Sequence, residues 1–175
     1  MSSLSIEIKA RCSDPERVRR ILKACRADFR GIDRQIDTYF KVPSGRLKLR
    51  EGNIENSLIY YKRADQKGSK RCDAVLYECP DPETMKKILA IACGILVVVD
   101  KKRGIYFLKN VKFHIDRVKG LGDFVEIEAQ GKTGAGRLKK QCDFYQKLLG
   151  IKPEDLLADS YSDQRLRLKT RDQRL

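Results

Sequence analysis

The sequence contains no tryptophan and only one histidine among its 175 residues. Its uninterrupted apolar runs, such as 95–99, fall far short of the roughly 20 residues that a membrane-spanning helix needs. The N-terminus lacks the basic region, apolar stretch and small-residue cleavage site of a secretory signal peptide. These absences predict a cytoplasmic protein without a membrane partner, and the length of 175 residues suits one domain.

Closely spaced cysteine pairs are also missing, although the chain has six cysteines: Cys12, Cys25, Cys72, Cys79, Cys93 and Cys142. Zinc ribbons and fingers need cysteines with two to four residues between them, and the close ligand pairs of this class are missing. No Gly-x-x-x-x-Gly-Lys loop is present, which argues against a P-loop enzyme. We expect reduced thiols in the core rather than a disulfide framework.

Basic residues are in excess, because 38 Lys and Arg face 24 Asp and Glu, a formal charge of +14. Residues 164–175 hold +4 of this surplus, which leaves +10 for residues 1–163. We therefore predict a folded domain over 1–163 and a basic C-terminal tail over 164–175. The surplus indicates an anionic partner, namely a phosphate compound, a nucleic acid or a membrane surface.

An internal repeat divides the chain into two similar parts. Residues 12–16 and 79–83 both read Cys-x-Asp-Pro-Glu, and 39–40 and 106–107 both read Tyr-Phe, at the same offset of 67. Each part is predicted to form a strand, a helix and then further strands. Two copies are too few for a solenoid and suit a sheet or barrel built from related halves.

Apolar spacing predicts three helices. The first is expected to begin with a capping box between Ser13 and Glu16, the second at Asp81, and the third to span 135–149 and end at Gly150. Two of the apolar stripes are predicted to be Val18, Ile21, Leu22 and Cys25, and Met85, Ile88, Leu89 and Ala92.

Alternation of apolar and polar residues predicts about eight strands, at 4–11, 31–41, 46–51, 56–63, 71–79, 95–108, 110–118 and 123–129. Strands this numerous and short predict an α+β fold. Its expected architecture is an eight-stranded antiparallel β-barrel of two related halves, with the helices packed outside.

Charged side chains recur at every second position of several strands and so share one face of each strand. Pooling these faces gives eight cations and four carboxylates: Lys9, Arg46, Lys48, Arg50, Lys62, Lys101, Arg103 and Lys112, with Glu7, Asp116, Glu126 and Glu128. A solvated outer face would explain them. If the apolar faces turn outward under the helices, the charges instead line a cationic lumen suited to a metal-bound polyphosphate.

Motifs in colinear order carry a family resemblance: Ile6–Lys9, Asp37–Phe40, Gly45–Glu51, Tyr61–Arg63, Lys101–Arg103, His114–Val118, Gly120–Glu128 and Asp159–Asp163. Over about residues 4–163 the chain resembles the CYTH superfamily of triphosphate tunnel metalloenzymes. That superfamily includes class IV adenylyl cyclases, thiamine triphosphatases and inorganic triphosphatases. The resemblance implies an eight-stranded antiparallel tunnel of two related halves.

The resemblance also implies residue roles. Glu7, Glu126 and Glu128 would bind Mg²⁺ or Mn²⁺, and Lys9 and Asp116 would be catalytic. The triphosphate would be held by Lys9, Lys48, Arg50, Lys62, Lys101, Arg103 and Lys112. One departure stands out, because Ser5 replaces the first Glu of the family's Glu-x-Glu-x-Lys signature. A hydroxyl is a poorer ligand for a hard divalent cation than a carboxylate.

The motifs at 37–40, 114–118 and 120–128 look closest to the class IV cyclase branch, so the predicted activity is conversion of ATP to cyclic AMP and pyrophosphate. Two alternatives stay open. One is a triphosphatase acting on inorganic or organic triphosphates, such as tripolyphosphate or thiamine triphosphate. The other is a triphosphate-binding protein with little turnover.

The expected partner is a nucleoside triphosphate or another polyphosphate anion. A nucleic-acid-binding domain also fits the charge, but the carboxylates on the polar faces and the lack of an aromatic-rich RNA-binding strand argue against it. His114 fits a histidine bonded to a neighbouring carboxylate better than a catalytic base. The oligomeric state stays open, a homodimer included.

Overall fold

Eight antiparallel strands close into a barrel with four helices outside it in the computed structural model, which describes residues 2–63, 65–131 and 134–172. The strands are β1 (Ser2–Arg11), β2 (Asp28–Phe40), β3 (Arg46–Glu51), β4 (Ser57–Arg63), β5 (Lys70–Glu78), β6 (Ile95–Leu108), β7 (Val111–Val118) and β8 (Gly122–Gln130). The helices are α1 (Pro15–Ala24), α2 (Pro82–Ala92), α3 (Ala135–Leu148) and α4 (Tyr161–Asp172). The predicted fold class is confirmed.

The order of strands around the barrel is β1-β5-β4-β3-β2-β6-β7-β8. Each half contributes a three-stranded meander, and the first strand of each half pairs with the last strand of the other, β1 with β8 and β5 with β4. Ser5 of β1 lies opposite Cys72 of β5, its counterpart at an offset of 67. The internal repeat is therefore a pseudo-two-fold relation between the halves.

The main apolar core lies outside the barrel, between the sheet and the helices. Leu22 of α1 and Leu138 of α3 are buried against outward side chains such as Phe113 and Ile127. A second cluster around Phe40 and the neighbouring strands supports α2. Burying a large aliphatic or aromatic side chain stabilises a fold by about 1.5–3 kcal/mol. With apolar side chains directed outward, the alternate positions of each strand face the lumen.

Two predicted details of the helices are wrong. The N-cap of α1 is Asp14 rather than Ser13, because the Asp14 carboxylate accepts a hydrogen bond of 2.9 Å from the backbone N–H of Arg17. In α2, Ile88 is 55% exposed, although the predicted stripe would bury it. That helix packs instead through the partly buried Met85, Leu89, Ala90 and Cys93.

Other details follow the predictions. Asp81 caps α2 by accepting a hydrogen bond from the N–H of Thr84, and Gly150 follows α3 with a φ of 69°. All six cysteines are free, and four of them are buried. None of the described helices is both long and apolar enough to cross a membrane.

The predicted boundary at 163 falls inside α4, so residues 164–172 continue a helix instead of forming a separate tail. Leu166 of α4 packs against a cluster that contains Val97 and Tyr161. The helix was missed because its sequence is polar and its few apolar residues contact the end of the barrel rather than a long face. Residues 173–175 of the predicted tail lie outside the described residues.

Asp14→Ala is expected to lower the free energy of unfolding by about 1 kcal/mol, because it leaves a backbone N–H of the first turn of α1 without its side-chain partner. Ser13→Ala is the matched control and should change stability by less than about 0.5 kcal/mol. Urea denaturation of both variants measures the difference. Equal decreases in the free energy of unfolding of the two variants would contradict the assignment of Asp14 as the N-cap in place of Ser13.

Candidate active site inside the barrel

A cavity of 1260 Å³ runs inside the barrel and is lined by inward-facing residues of the strands. At one end it is bounded by Ser160 and Tyr161, next to an apolar cluster that fills the barrel. That cluster consists of Tyr39, Val97, Val99, Val118, Phe124 and Tyr161. The polar part of the lumen is therefore closed off by apolar packing beneath the start of α4.

Asp37 is the centre of one buried charge network. Its carboxylate accepts hydrogen bonds from Lys48 Nζ at 3.0 Å, from Arg50 Nε at 3.0 Å and from Lys101 Nζ at 2.5 Å. Burial alone would raise the pKa of Asp37. The cations of Arg50, Lys101 and Lys48 outweigh burial and hold that pKa well below its usual range. This carboxylate fixes three predicted phosphate-binding side chains in place.

Glu126 is the centre of a second network. Its carboxylate contacts Lys9 Nζ at 2.6 Å, Arg103 Nη2 at 2.7 Å and His114 Nδ1 at 3.1 Å. Arg103 also forms two hydrogen bonds with the buried Asp116, of 2.7 and 2.5 Å. Burial opposes ionisation of Glu126, but Lys9 and Arg103 keep its pKa well below the usual range.

His114 is neutral at pH 7, because burial and the nearby Arg103 lower its pKa to about 3. Its contact with Glu126 then requires that Nδ1 carry the proton and donate it. This arrangement fits the interpretation of a strand histidine bonded to a carboxylate. The buried Nε2 has no hydrogen-bond partner among the described residues.

Glu55 is a lumen carboxylate that sequence reasoning missed. It lies between β3 and β4, and its carboxylate accepts hydrogen bonds from Arg50 at 2.9 Å and Lys112 at 2.5 Å. The buried Asp33 holds this loop by accepting hydrogen bonds from the backbone N–H groups of Ile54 and Glu55. Strand alternation cannot identify such a residue, because a turn has no fixed inward side.

Three cationic side chains that belong to the barrel strands contact residues 157–161, at and just before the start of α4. Arg63 donates to Glu7 at 2.6 Å and to the Ala158 carbonyl at 3.4 Å. The buried Lys70 donates to the carbonyls of residues 157 and 158. Lys9 Nζ lies 3.4 Å from the centre of the Tyr161 ring. These contacts hold the closed end of the cavity.

Charges of the two signs nearly balance along the cavity. Its described lining holds seven cations and six carboxylates: Lys9, Lys48, Arg50, Arg63, Lys101, Arg103 and Lys112, with Glu7, Asp37, Glu55, Glu78, Glu126 and Glu128. The predicted excess of cations in the lumen is therefore wrong. Inward carboxylates of β2 and of the β3–β4 loop, absent from the prediction, account for most of the difference.

Comparison with known proteins adds independent information. The family model of the CYTH domain matches residues 3–161. The PH1012 protein of Pyrococcus horikoshii OT3 is 30% identical over 91% of this chain and 98% of its own, with a TM-score of 0.81. The chain belongs to the CYTH family.

Other solved CYTH-like structures share the fold at lower identity. A conserved hypothetical protein of Pyrococcus furiosus is 27% identical, covers 91% of this chain and 98% of its own, and has a TM-score of 0.79. The adenylyl cyclase-like HpAC1 of Hippeastrum, which has a dominant triphosphatase activity, is 17% identical, covers 94% of this chain and 96% of its own, and has a TM-score of 0.65. No curated protein matches the chain.

Ten of the eleven predicted site residues of this CYTH protein lie in or directly behind the cavity wall. Lining residues are Glu7, Lys9, Lys48, Arg50, Lys101, Arg103, Lys112, Glu126 and Glu128. Asp116 is buried and contacts the cavity through Arg103. Arg46 lies on the same face of β3 near the closed end, where it pairs with Asp163. The roles of these residues remain predictions.

Lys62 is the exception, since its side chain is exposed and does not line the cavity. Tyr61 and Arg63 face inward instead. The prediction failed because β4 carries apolar residues on both faces, Leu58 and Tyr60 outward and Ile59 inward, so alternation gives no direction there. Arg63 replaces Lys62 in the candidate site.

CYTH triphosphate tunnel metalloenzymes generally use divalent metal ions. Glu7 and Glu128 are directly opposite each other on β1 and β8. Burial, with the nearby charge of Glu7, raises the pKa of Glu128. Like charges at opposite positions of paired strands destabilise a sheet, and a hard cation with oxygen ligands would offset this. Glu7 also pairs with Arg63 at 2.6 Å, so of the two facing carboxylates only Glu128 is without a cation partner among the described residues. A divalent metal at this pair would share Glu7 with Arg63.

The rest of the predicted ligand set fits less well. Glu126 is already neutralised by Lys9 and Arg103. Within the described ranges, no group of three or more His, Cys, Asp or Glu residues is arranged to hold a metal ion. Ser5 is buried and lines the cavity two residues before Glu7, as predicted. A third carboxylate is thus missing from the wall that carries the facing pair.

Neutralising each of two neighbouring carboxylates should have opposite effects on stability. Without metal, Glu128→Gln is expected to raise the free energy of unfolding, because it removes one of two facing negative charges. Glu126→Gln should lower it by about 3 kcal/mol, because it leaves Lys9 and Arg103 without their shared partner. Chemical denaturation tests both variants, and the same direction of change in both would contradict the assignment.

The metal site has its own test in the melting temperature. Mn²⁺ should raise the melting temperature of the wild-type protein, and Glu128→Gln should reduce that shift. Ser5→Glu should enlarge it by adding a third carboxylate to the same wall. An unchanged shift in both variants would show that metal binds elsewhere.

Proposed function

We propose that this chain is a metal-dependent enzyme acting on an organic triphosphate, with cyclisation of ATP to cyclic AMP and pyrophosphate as its reaction. The observation that carries the proposal is the division of the lumen into a charged wall and an apolar wall. Inorganic tripolyphosphate would contact only the first. A nucleoside triphosphate would use both.

The apolar wall consists of inward residues of β4 and β5: Ile59, Tyr61, Cys72 and Ala74. Strands four places apart in an eight-stranded barrel lie across the lumen from each other. By the observed strand order, β4 and β5 are opposite β7 and β6, which carry Lys101, Arg103 and Lys112. Phosphates held by these cations would leave a base and ribose within reach of the apolar wall.

Cation contacts provide most of the proposed catalysis. Arg50 and Arg103 can each bind phosphate oxygens through two N–H groups, while Lys9, Lys48 and Lys101 add compact positive charge. Phosphoryl transfer depends mainly on positioning and on neutralising charge that develops on the oxygens. A bound Mg²⁺ or Mn²⁺ would supply further neutralisation of that charge.

The two predicted catalytic residues, Lys9 and Asp116, take different roles. Lys9 contacts the lumen directly, and burial lowers its pKa although the nearby Glu126 opposes this effect. It remains the proposed catalytic lysine. Asp116 accepts hydrogen bonds from Arg103 and from the Tyr161 hydroxyl, at 2.8 Å for the latter. We therefore assign Asp116 to positioning Arg103 rather than to contact with substrate.

Hydrolysis of the triphosphate is the second candidate. The missing third carboxylate at Ser5 favours this candidate. Cyclisation requires accurate placement of a ribose hydroxyl against the α-phosphorus, whereas hydrolysis requires only a water molecule. The dominant triphosphatase activity of HpAC1, which shares the fold, supports this candidate.

Product analysis separates the candidates. The protein is incubated with ATP, tripolyphosphate and thiamine triphosphate in the presence of Mg²⁺ or Mn²⁺. Cyclic AMP with pyrophosphate is the expected product from ATP. Release of inorganic phosphate from any of the three would favour the hydrolase, and no product from all three would contradict an enzymatic role.

Arg63 and Lys62 provide a matched pair for the binding step. Tripolyphosphate is expected to raise the melting temperature, since a ligand that binds only the folded state stabilises it. Arg63→Ala should reduce this shift because its guanidinium faces the lumen, whereas Lys62→Ala should leave it unchanged. A larger effect of Lys62→Ala would contradict this assignment, because it would mean that the Lys62 side chain faces the lumen in place of the Arg63 side chain.

A further inference from the structure

Almost all of the excess positive charge lies on the outer surface, because the cavity lining is nearly balanced. Half of the +14 belongs to two stretches, 14–26 and 135–152, which hold ten Lys and Arg against three Asp and Glu. These stretches contain α1 and α3 with their ends. Half of the positive surplus is therefore concentrated around α1 and α3, separate from the candidate active site.

The two helices form a single layer on the barrel. Val18 of α1 and Cys142 of α3 pack into the same apolar cluster, and the Arg17 guanidinium lies close over Gly150 at the end of α3. Seven cations of this layer are exposed and, among the described residues, form no ion pair: Arg17, Arg20, Lys23, Arg26, Arg137, Lys140 and Lys147. We call this set the α1–α3 basic face.

The basic face costs stability in the isolated chain. Arg17, Arg20 and Lys23 follow one another at intervals of three, which brings like charges together on a helix. Arg17 also lies in the first turn of α1, where the helix dipole disfavours a cation. The repeat does not explain the face, because the lysines of α2 are paired, Lys86 with Glu51 and Lys87 with Glu83.

We propose that the α1–α3 basic face binds the phosphate backbone of a nucleic acid. Arginine predominates in the face, and its planar guanidinium suits bidentate contact with phosphate oxygens. Phe144 is 60% exposed on α3 and provides a ring on which a base can stack. A membrane fits less well, because the apolar sides of both helices are buried against the barrel and cannot enter a bilayer.

Fluorescence anisotropy with a labelled single-stranded RNA of about 20 nucleotides, from about 50 to about 200 mM salt, tests this proposal. Binding should weaken steeply with salt. The triple variant Arg17→Glu/Arg20→Glu/Lys23→Glu should reduce the slope of log K against log salt by about 0.7 for each cation removed. The control variant Lys41→Glu/Lys102→Glu/Lys119→Glu changes net charge equally but lies outside the α1–α3 basic face.

Equal weakening in the two triple variants would overturn the proposal in favour of diffuse attraction to a basic protein. Absence of binding at the lowest salt would overturn it as well. Stronger binding to vesicles containing phosphatidylserine than to RNA would assign the face to membranes. The tripolyphosphate-induced shift in melting temperature should stay unchanged in the triple variant that contains Arg17→Glu. The test of the α1–α3 basic face is therefore independent of the test of the active site.

Discussion

Neutralisation of buried charge by Asp37 and Glu126 is the constraint on which the rest of this structure depends. Together they hold Lys9, Lys48, Arg50, Lys101 and Arg103 inside a protein barrel. Removing either partner of a buried ion pair leaves an uncompensated charge that is costly in a low-dielectric interior. The same network that makes the folded chain tolerate these cations also keeps them aligned for a phosphate ligand.

This network requires an unusual distribution of apolar residues. The core is on the outside of the barrel, where α1, α2 and α3 cover the sheet, so the lumen is free to carry polar side chains. At the closed end of the barrel, Phe124 and Tyr161 belong to an apolar cluster that packs inside the lumen. The helices are therefore needed for the charged lumen, since without them the outward apolar faces would meet water.

The two halves of the repeat have diverged in chemistry more than in shape. Ile59 and Tyr61 of β4 correspond, at an offset of 67, to Glu126 and Glu128 of β8. Glu7 of β1 likewise corresponds to Ala74 of β5. The strand pair β1 and β8 thus carries carboxylates, and the corresponding pair β5 and β4 carries an apolar wall. The division between polar and apolar parts of the lumen follows from these substitutions on a common backbone.

The sequence by itself determined the eight strands, the segregation of most charges to one face of each strand and the family, because alternation along a strand and motif order are local properties. Barrel closure decided that this face lines the lumen. Only the tertiary structure decided that Arg63 rather than Lys62 faces the lumen, since β4 is apolar on both faces. It also brought Glu55 from a turn to Arg50 and Lys112. Charge balance in a cavity depends on which strands and loops meet, and that is fixed by barrel closure rather than by any single segment.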